Sequence, residues 1–324
     1  MSPRRSPCRQ IETDLMATAA GEASAAAVQR VDVHTRECSG CRRELERYRE
    51  VEGVVGSLRR APLGAADPTL ARAELDSKLG DLRTRVVRFG RFPSPLGPIL
   101  IGRTELGVAL VEYLAPGEDV SAGHLARLSA GHAIEDRAEV EAPYREILEY
   151  LEGRRGQLDW AIDLRGTRGE FQRRVLDATA RVPYGAVASY AGIAREIGAP
   201  RAVRAVAQAL RHNPVPIAIP CHRVIGSSGA LTGYSGNKVG LKQRLLAVEG
   251  VRSGGPEREP HIHRLGMYHL FRGETEYCLP TCGSLATTPL ADVTLFSSRR
   301  RAEAVGLRPC SSCRPDLHPL PASA

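Results

Sequence analysis

The 324-residue chain has no long apolar run: stretches such as residues 214–220 fall well short of the roughly 18 residues that a membrane span requires. Its opening residues carry arginines and lack the apolar core of an export signal, so a cytoplasmic location without membrane association is expected. No two glycines are separated by a single residue. That removes the G-x-G turn common at nucleotide and S-adenosylmethionine sites, and no such donor cofactor is expected. No long internal repeat is present either.

What remains is ordinary in bulk and uneven in distribution. A hydrophobic content of 42% supports a true core, and the length allows two or three domains. The net charge of +8 is concentrated. Residues 84–166 hold 10 Lys/Arg against 13 Asp/Glu, whereas residues 167–252 hold 13 against 4. A basic segment of this kind is the electrostatic footprint of a polyanion binder. The cysteines stand at 8, 38, 41, 221, 278, 282, 310 and 313. Such clustering in a chain without an export signal favours metal sites over disulfides, and it leaves Cys221 alone.

Residues 1–60 are Ala/Glu/Arg-rich and predict short helices, followed by a Pro/Gly/Ala linker over 61–83. Short β-type runs at 86–87, 99–101 and 108–111, then a helix over about 140–153, predict an α+β unit. Residues 171–211 predict three helices with apolar stripes Phe171/Val175/Ala178/Val182, Tyr190/Ile193/Ala194/Ile197 and Val203/Val206/Ala207/Leu210. Ser189 is placed to cap the second, and the last two form a helix-turn-helix candidate. Arg201, Arg204, Gln208 and Arg211 fall opposite the third stripe, where a recognition helix keeps its nucleic-acid contacts. Two short strands around a turn at 226–229 predict a hairpin that reads as a wing, with a helix over 241–248 after it.

Cys221 follows the apolar run 215–220 and precedes His222 and Arg223. A thiol becomes a strong nucleophile as the thiolate, which an adjacent base and a cation both favour. Pro220-Cys221-His222-Arg223-Val224 is preceded by Arg204-Ala205-Val206 and Asn213-Pro214-Val215-Pro216. It is followed by Gly233-Tyr234-Ser235-Gly236 and by Leu245-Leu246-Ala247-Val248-Glu249-Gly250. Five separated elements in this order make residues 84–250 closely similar to the O6-alkylguanine-DNA alkyltransferase family.

That resemblance implies a ribonuclease-H-like half over 84–166 and a winged helix-turn-helix over 167–252 that binds double-stranded DNA. The damaged guanine would be flipped out of the duplex to reach a recessed sulfur. By resemblance, Cys221 is the alkyl acceptor of a single-turnover reaction, His222 its base through a water, and Glu249 the carboxylate that orients His222. Arg204 resembles the finger that replaces the flipped base, Tyr190 the residue that crowds the 3′ phosphate, and Asn213 a hinge to the active-site loop. Tyr234 and Ser235 resemble the lining of the guanine pocket. The chain departs from the family in having Ala207 for Gly, Arg244 for Trp, and one extra residue between 236 and 245. This unit is expected to act as a monomer.

His34-x3-Cys38-x2-Cys41 places His and Cys on one helical face with a third ligand about one turn on, and Cys8 can complete a tetrahedral set. It resembles the zinc-binding anti-sigma-factor family, which implies a sigma factor or other regulator as partner of residues 1–60. Cys278-x3-Cys282 and Cys310-x2-Cys313 resemble the metal-binding domain of the Ada response protein. In that family the first cysteine takes methyl groups from DNA phosphotriesters. Here Leu279 replaces an Arg and residues 283–292 hold no basic side chain, so a structural zinc site is the reading, over 261–318 after a linker at 253–260. The fold class expected is therefore α/β multidomain, flanked by small zinc-binding domains. A second functional reading is a zinc-dependent regulator that senses oxidation or alkylation and keeps the central fold for DNA binding.

Overall fold

Apolar residues at helical spacing, Ile11, Leu15, Val31 and Leu45, bury together with Cys41 in the first of two units, residues 1–79. The computed structural model describes residues 8, 11–60, 72, 75, 86–121, 123–124, 132–234, 238–256 and 259–320. The first unit contains helices α1 (Glu12–Ala20), α2 (Ala25–Glu37) and α3 (Ser39–Arg60). Ser24 caps α2 by accepting the Ala27 amide. Cys38, with extended backbone at φ −113° and ψ 100°, breaks the helical path between α2 and α3. His34 and Cys41 consequently stand on different helices, which corrects the expectation that the third ligand follows one turn further along the same helix.

The second unit, residues 80–324, begins with strands β1 (Val86–Phe92), β2 (Ile99–Thr104), β3 (Gly107–Tyr113) and β4 (His132–Glu135). They form one sheet in the order β3-β2-β1-β4, antiparallel except for the parallel β1/β4 edge. Gly107 opens β3 at φ 146°, where a Cβ would lie 2.2 Å from the Ala161 carbonyl oxygen. Only glycine admits that approach, and it lets the Val108 amide bond to Ala161. One sheet face packs on α4 (Glu141–Leu151) and α5 (Glu170–Ala180) through Ile99, Ile101, Ile147, Val175 and Leu176; Cys221 belongs to the same apolar cluster.

β5 (Ala186–Ser189) leads directly into α6 (Tyr190–Glu196), capped by Ser189 through the Gly192 amide, and then α7 (Val203–Arg211). Phe171 is 36% exposed and does not join the stripe predicted for α5; it sits in the first turn, before the face closes on the core. β6 (Val224–Ile225) pairs in parallel with β5, and α8 (Val239–Val248) follows.

The predicted hairpin after Cys221 is corrected by the structure. Beyond the 226–229 turn the chain does not form a second strand against β6 among the described residues. Instead Ala230 bridges to His261 and the Leu231 amide bonds to the Pro260 carbonyl. Ile225 and Leu231 are buried in a cluster with Ile262, Leu285, Leu290 and Leu295, which an exposed ribbon would leave wet.

The remaining elements are β7 (Tyr268–Phe271), β8 (Glu276–Tyr277), β9 (Val293–Phe296), α9 (Arg299–Glu303) and β10 (Arg308–Pro309). β7 and β9 extend the β5/β6 pair into one sheet, in the order β6-β5-β9-β7. The C-terminal cysteine segment thus shares a hydrogen-bonded sheet with the segment that carries Cys221. No helix among the described residues is long and apolar enough to cross a membrane.

Candidate active site and metal centres

Cys221 opens a single 3-10 turn, Cys221–Arg223, at the end of the apolar run. Within that run Ile217 has φ 77° while 2% exposed. A β-branched residue in that region costs on the order of 1–3 kcal/mol, retained here because the Ile219 amide bonds to Val215 and the Asn213 amide to Ile219. The same Asn213 Nδ2 donates to Cys221 Sγ at 3.2 Å. Asn213 therefore ties the end of α7 to the sulfur.

Behind the sulfur lies a buried polar cluster. His222 and Glu249 side chains are fully buried, with Nε2 2.6 Å from Oε1. Glu249 also accepts from Arg223 Nε at 2.9 and 3.0 Å, from the Gly185 amide at 2.8 Å, and from the Tyr150 hydroxyl. A proton on Nε2 facing Glu249 leaves Nδ1 as the acceptor, and Nδ1 is buried without a partner among the described residues. Burial opposes charge on Glu249, but His222, Arg223 and Tyr150 overcome it and hold the carboxyl down at about 2. Burial likewise lowers His222 against the pull of Glu249, so the imidazole is neutral and able to take a proton.

Burial pushes the Cys221 thiol up, opposed by the Asn213 amide and by the Lys242 ammonium. Lys242 is fully buried, donates to the Val224 and Thr232 carbonyls, and is lowered to about 8 by burial. It remains a cation at neutral pH and favours the thiolate.

Two cavities reach Cys221. One, of about 380 Å³, is lined by Tyr190, Arg204, Arg211, Tyr234 and Cys221. The other, of about 800 Å³, is lined by Asn213, Arg211, Tyr234, Lys238 and Cys221. Tyr234 is pinned through its hydroxyl, 3.1 Å from that of Tyr113 on β3. Tyr190 donates to the Thr232 carbonyl at 3.1 Å. Arg204, Gln208 and Arg211 are exposed along α7. Arg201 is exposed in the turn before α7 and lines neither cavity, and Ser235 lies outside the described residues.

The other cysteines gather into two sets. Ligand atoms of Cys8, His34, Cys38 and Cys41 all lie within 4.8 Å of one another, as do those of Cys278, Cys282, Cys310 and Cys313. Sulfur and imidazole donors at this spacing suit tetrahedral zinc and not the oxygen-seeking Mg²⁺ or Ca²⁺. The Leu279 amide donates to Cys313 Sγ at 3.4 Å, a contact that supports a thiolate ligand.

A family profile described as the DNA-binding domain of 6-O-methylguanine DNA methyltransferase matches residues 170–251, and one described as the metal-binding domain of Ada matches 271–316. A "Methylated-DNA--protein-cysteine methyltransferase" of Methanosarcina acetivorans is 35% identical over 159 residues, which cover 49% of this chain and 96% of the relative. The chain belongs to this family. A relative of the same description from Mycolicibacterium paratuberculosis is 54% identical over 100 residues, or 31% of this chain and 59% of the relative. The constitutive Bacillus subtilis relative is matched over 64% of its length at 46% identity. Among solved structures, Mycobacterium tuberculosis O6-methylguanine methyltransferase is similar at 34% identity over 52% of this chain and 96% of that chain, with a TM-score of 0.44.

Sequence reasoning overlooked Tyr150, Arg223 as a partner of Glu249, and Lys242. Tyr150 stands 99 residues before Glu249 and looks like one more apolar position of an amphipathic helix. Lys242 has no sequence signal that separates it from a solvated lysine.

Proposed function

We propose that the chain repairs O6-alkylguanine in double-stranded DNA by one irreversible transfer of the alkyl group to Cys221. The observation that carries this reading is the recessed sulfur between two cavities and a fully buried His222–Glu249 pair. His222 Nδ1 takes the thiol proton through a water, and the sulfur attacks the alkyl carbon. A C–S bond forms as the C–O6 bond breaks, and its electron pair stays on the purine, which receives the proton. The thioether has no route back to thiolate, so each molecule acts once. Tyr190 and Arg204 favour the flipped-out nucleotide, Tyr234 and Ser235 line the base pocket, and Arg201 and Arg211 meet phosphates.

In this reading residues 84–166 are a ribonuclease-H-like half and 167–252 a winged helix-turn-helix. Residues 1–60 form a zinc-binding domain that meets a sigma-type regulator, and 261–318 hold a structural zinc, with linkers at 61–83 and 253–260. The relatives' descriptions favour repair over the redox-regulator alternative. Incubation with a duplex bearing O6-methylguanine, followed by peptide mass mapping, tests the proposal. One methyl group per chain on the Cys221 peptide is expected, and its absence, or unchanged transfer in Cys221→Ser, refutes it.

A further inference from the structure

The main chain of Glu249, and the Gly185 residue that donates to its carboxylate, are both held by the C-terminal segment. β9 pairs antiparallel with β5 in the register Ala186↔Phe296, which sets Ser297 opposite Gly185. The Ser297 amide donates to the Gly185 carbonyl at 2.8 Å, and the Gly185 amide donates to Glu249 Oε2 at 2.8 Å. The Ser297 hydroxyl donates to the Glu249 carbonyl at 3.4 Å. These three bonds close a ring in which one serine fixes both the main chain of Glu249 and the peptide that binds its side chain.

The local backbone is shaped for this contact. Gly185 has φ 73°, and a Cβ there would lie 2.9 Å from both Ser297 Oγ and Arg301 Cγ. Arg301, on α9, lies 4.2 Å over the Tyr184 ring, and the Tyr184 hydroxyl donates to the Val248 carbonyl at 3.0 Å. Residues on both sides of the Gly185–Glu249 bond are thus held by the C-terminal segment. The sheet also aligns Val187, Leu295, His269 and Cys278 in one transverse row, so a candidate zinc ligand stands two residues' register from Gly185.

We propose that Ser297 is a positioning residue for alkyl transfer at Cys221, which makes the C-terminal cysteine segment a working part of the active site. It acts through Glu249, which orients His222, and it rests on the reading of Cys221 as the acceptor. A buried carboxylate serves only while its donors keep their geometry, and a site loosened by an ångström loses rate.

The test compares full-length protein with Ser297→Ala, Ser297→Thr and Arg301→Met, each checked for unchanged zinc content. Single-turnover transfer from a duplex carrying O6-methylguanine and carboxamidomethylation of Cys221 by iodoacetamide are followed against pH. Ser297→Ala is expected to slow transfer about three- to tenfold. It should also move the ascending limb of both profiles to lower pH by up to about one unit, because a less firmly held Glu249 supports the imidazolium less well and His222 gives up its proton earlier. Ser297→Thr keeps the hydroxyl and should restore both. Arg301→Met, which removes the half-buried guanidinium over the Tyr184 ring, should give a smaller change in the same direction. Parental rates and midpoints in Ser297→Ala overturn the proposal; if that variant does not fold, a parental profile in Arg301→Met does so. Failure of the parent to methylate Cys221, with the iodoacetamide midpoint still shifted by Ser297→Ala, sinks the repair reading and leaves the positioning role standing.

Discussion

Cys221 and the clustered cysteines surround their sulfurs in opposite ways. The clusters bring four ligand atoms within 4.8 Å, an arrangement that a bound cation stabilises. Cys221 has no neighbouring thiol; burial pushes it up, and the Asn213 amide and Lys242 oppose that shift. The difference teaches that burial is affordable for a reactive sulfur when the donors are preorganised, and that metal does the same work where a segment is too small to bury them.

The sharpest break of this comparison is substitution on each side. Cys221→Ser should abolish transfer with zinc content unchanged, whereas Cys282→Ser should lower zinc content and slow methylation of Cys221 without abolishing it. Adduct mapping and metal analysis on the same samples decide it. Chelation comes next: structural zinc contributes on the order of 10 kcal/mol to small metal-stapled domains, so a strong chelator should cause an early melting transition by calorimetry.

Glu249→Gln sharpens the other half. It leaves Arg223 buried against a neutral partner and should destabilise the fold by about 3–5 kcal/mol in denaturant titrations, besides slowing transfer. The pH dependence follows from the same residue. Glu249 has a depressed folded-state pKa, so its stabilisation is complete above its ordinary value of 4.5 and is lost as pH falls toward about 2. A melting-temperature series over that window should lose its slope in Glu249→Gln. The smallest effect belongs to the exposed face of α7. Arg204→Ala should weaken duplex binding and reduce the slope of log affinity against log salt by about one.

The site was legible in the sequence to the extent that its residues are close along the chain. Asn213, Cys221 and His222 sit within ten positions, and Glu249 ends the next helix, so the motif announces them. Tyr150 reaches the same carboxylate from α4, 99 residues away in the chain, and a tyrosine at helical spacing carries no mark of that. The zinc clusters were legible by spacing, yet the break at Cys38 was not, because the surrounding residues all favour helix. The pairing of Ala230 with His261, in place of a second strand against β6, was not legible, because a turn with flanking apolar residues carries no mark of which distant segment its far side will meet.

The sequence by itself determined the isolated Cys221 motif, the concentration of basic charge over 167–252 and the two clustered cysteine sets, since each depends on residue types at short spacing. Tertiary structure alone decided that the C-terminal segment completes the sheet of β5 and β6, and that Ser297 reaches Glu249. Strand pairing between partners as distant as Ala186 and Phe296 is set by which apolar surfaces bury one another, and that competition leaves no local trace in the chain.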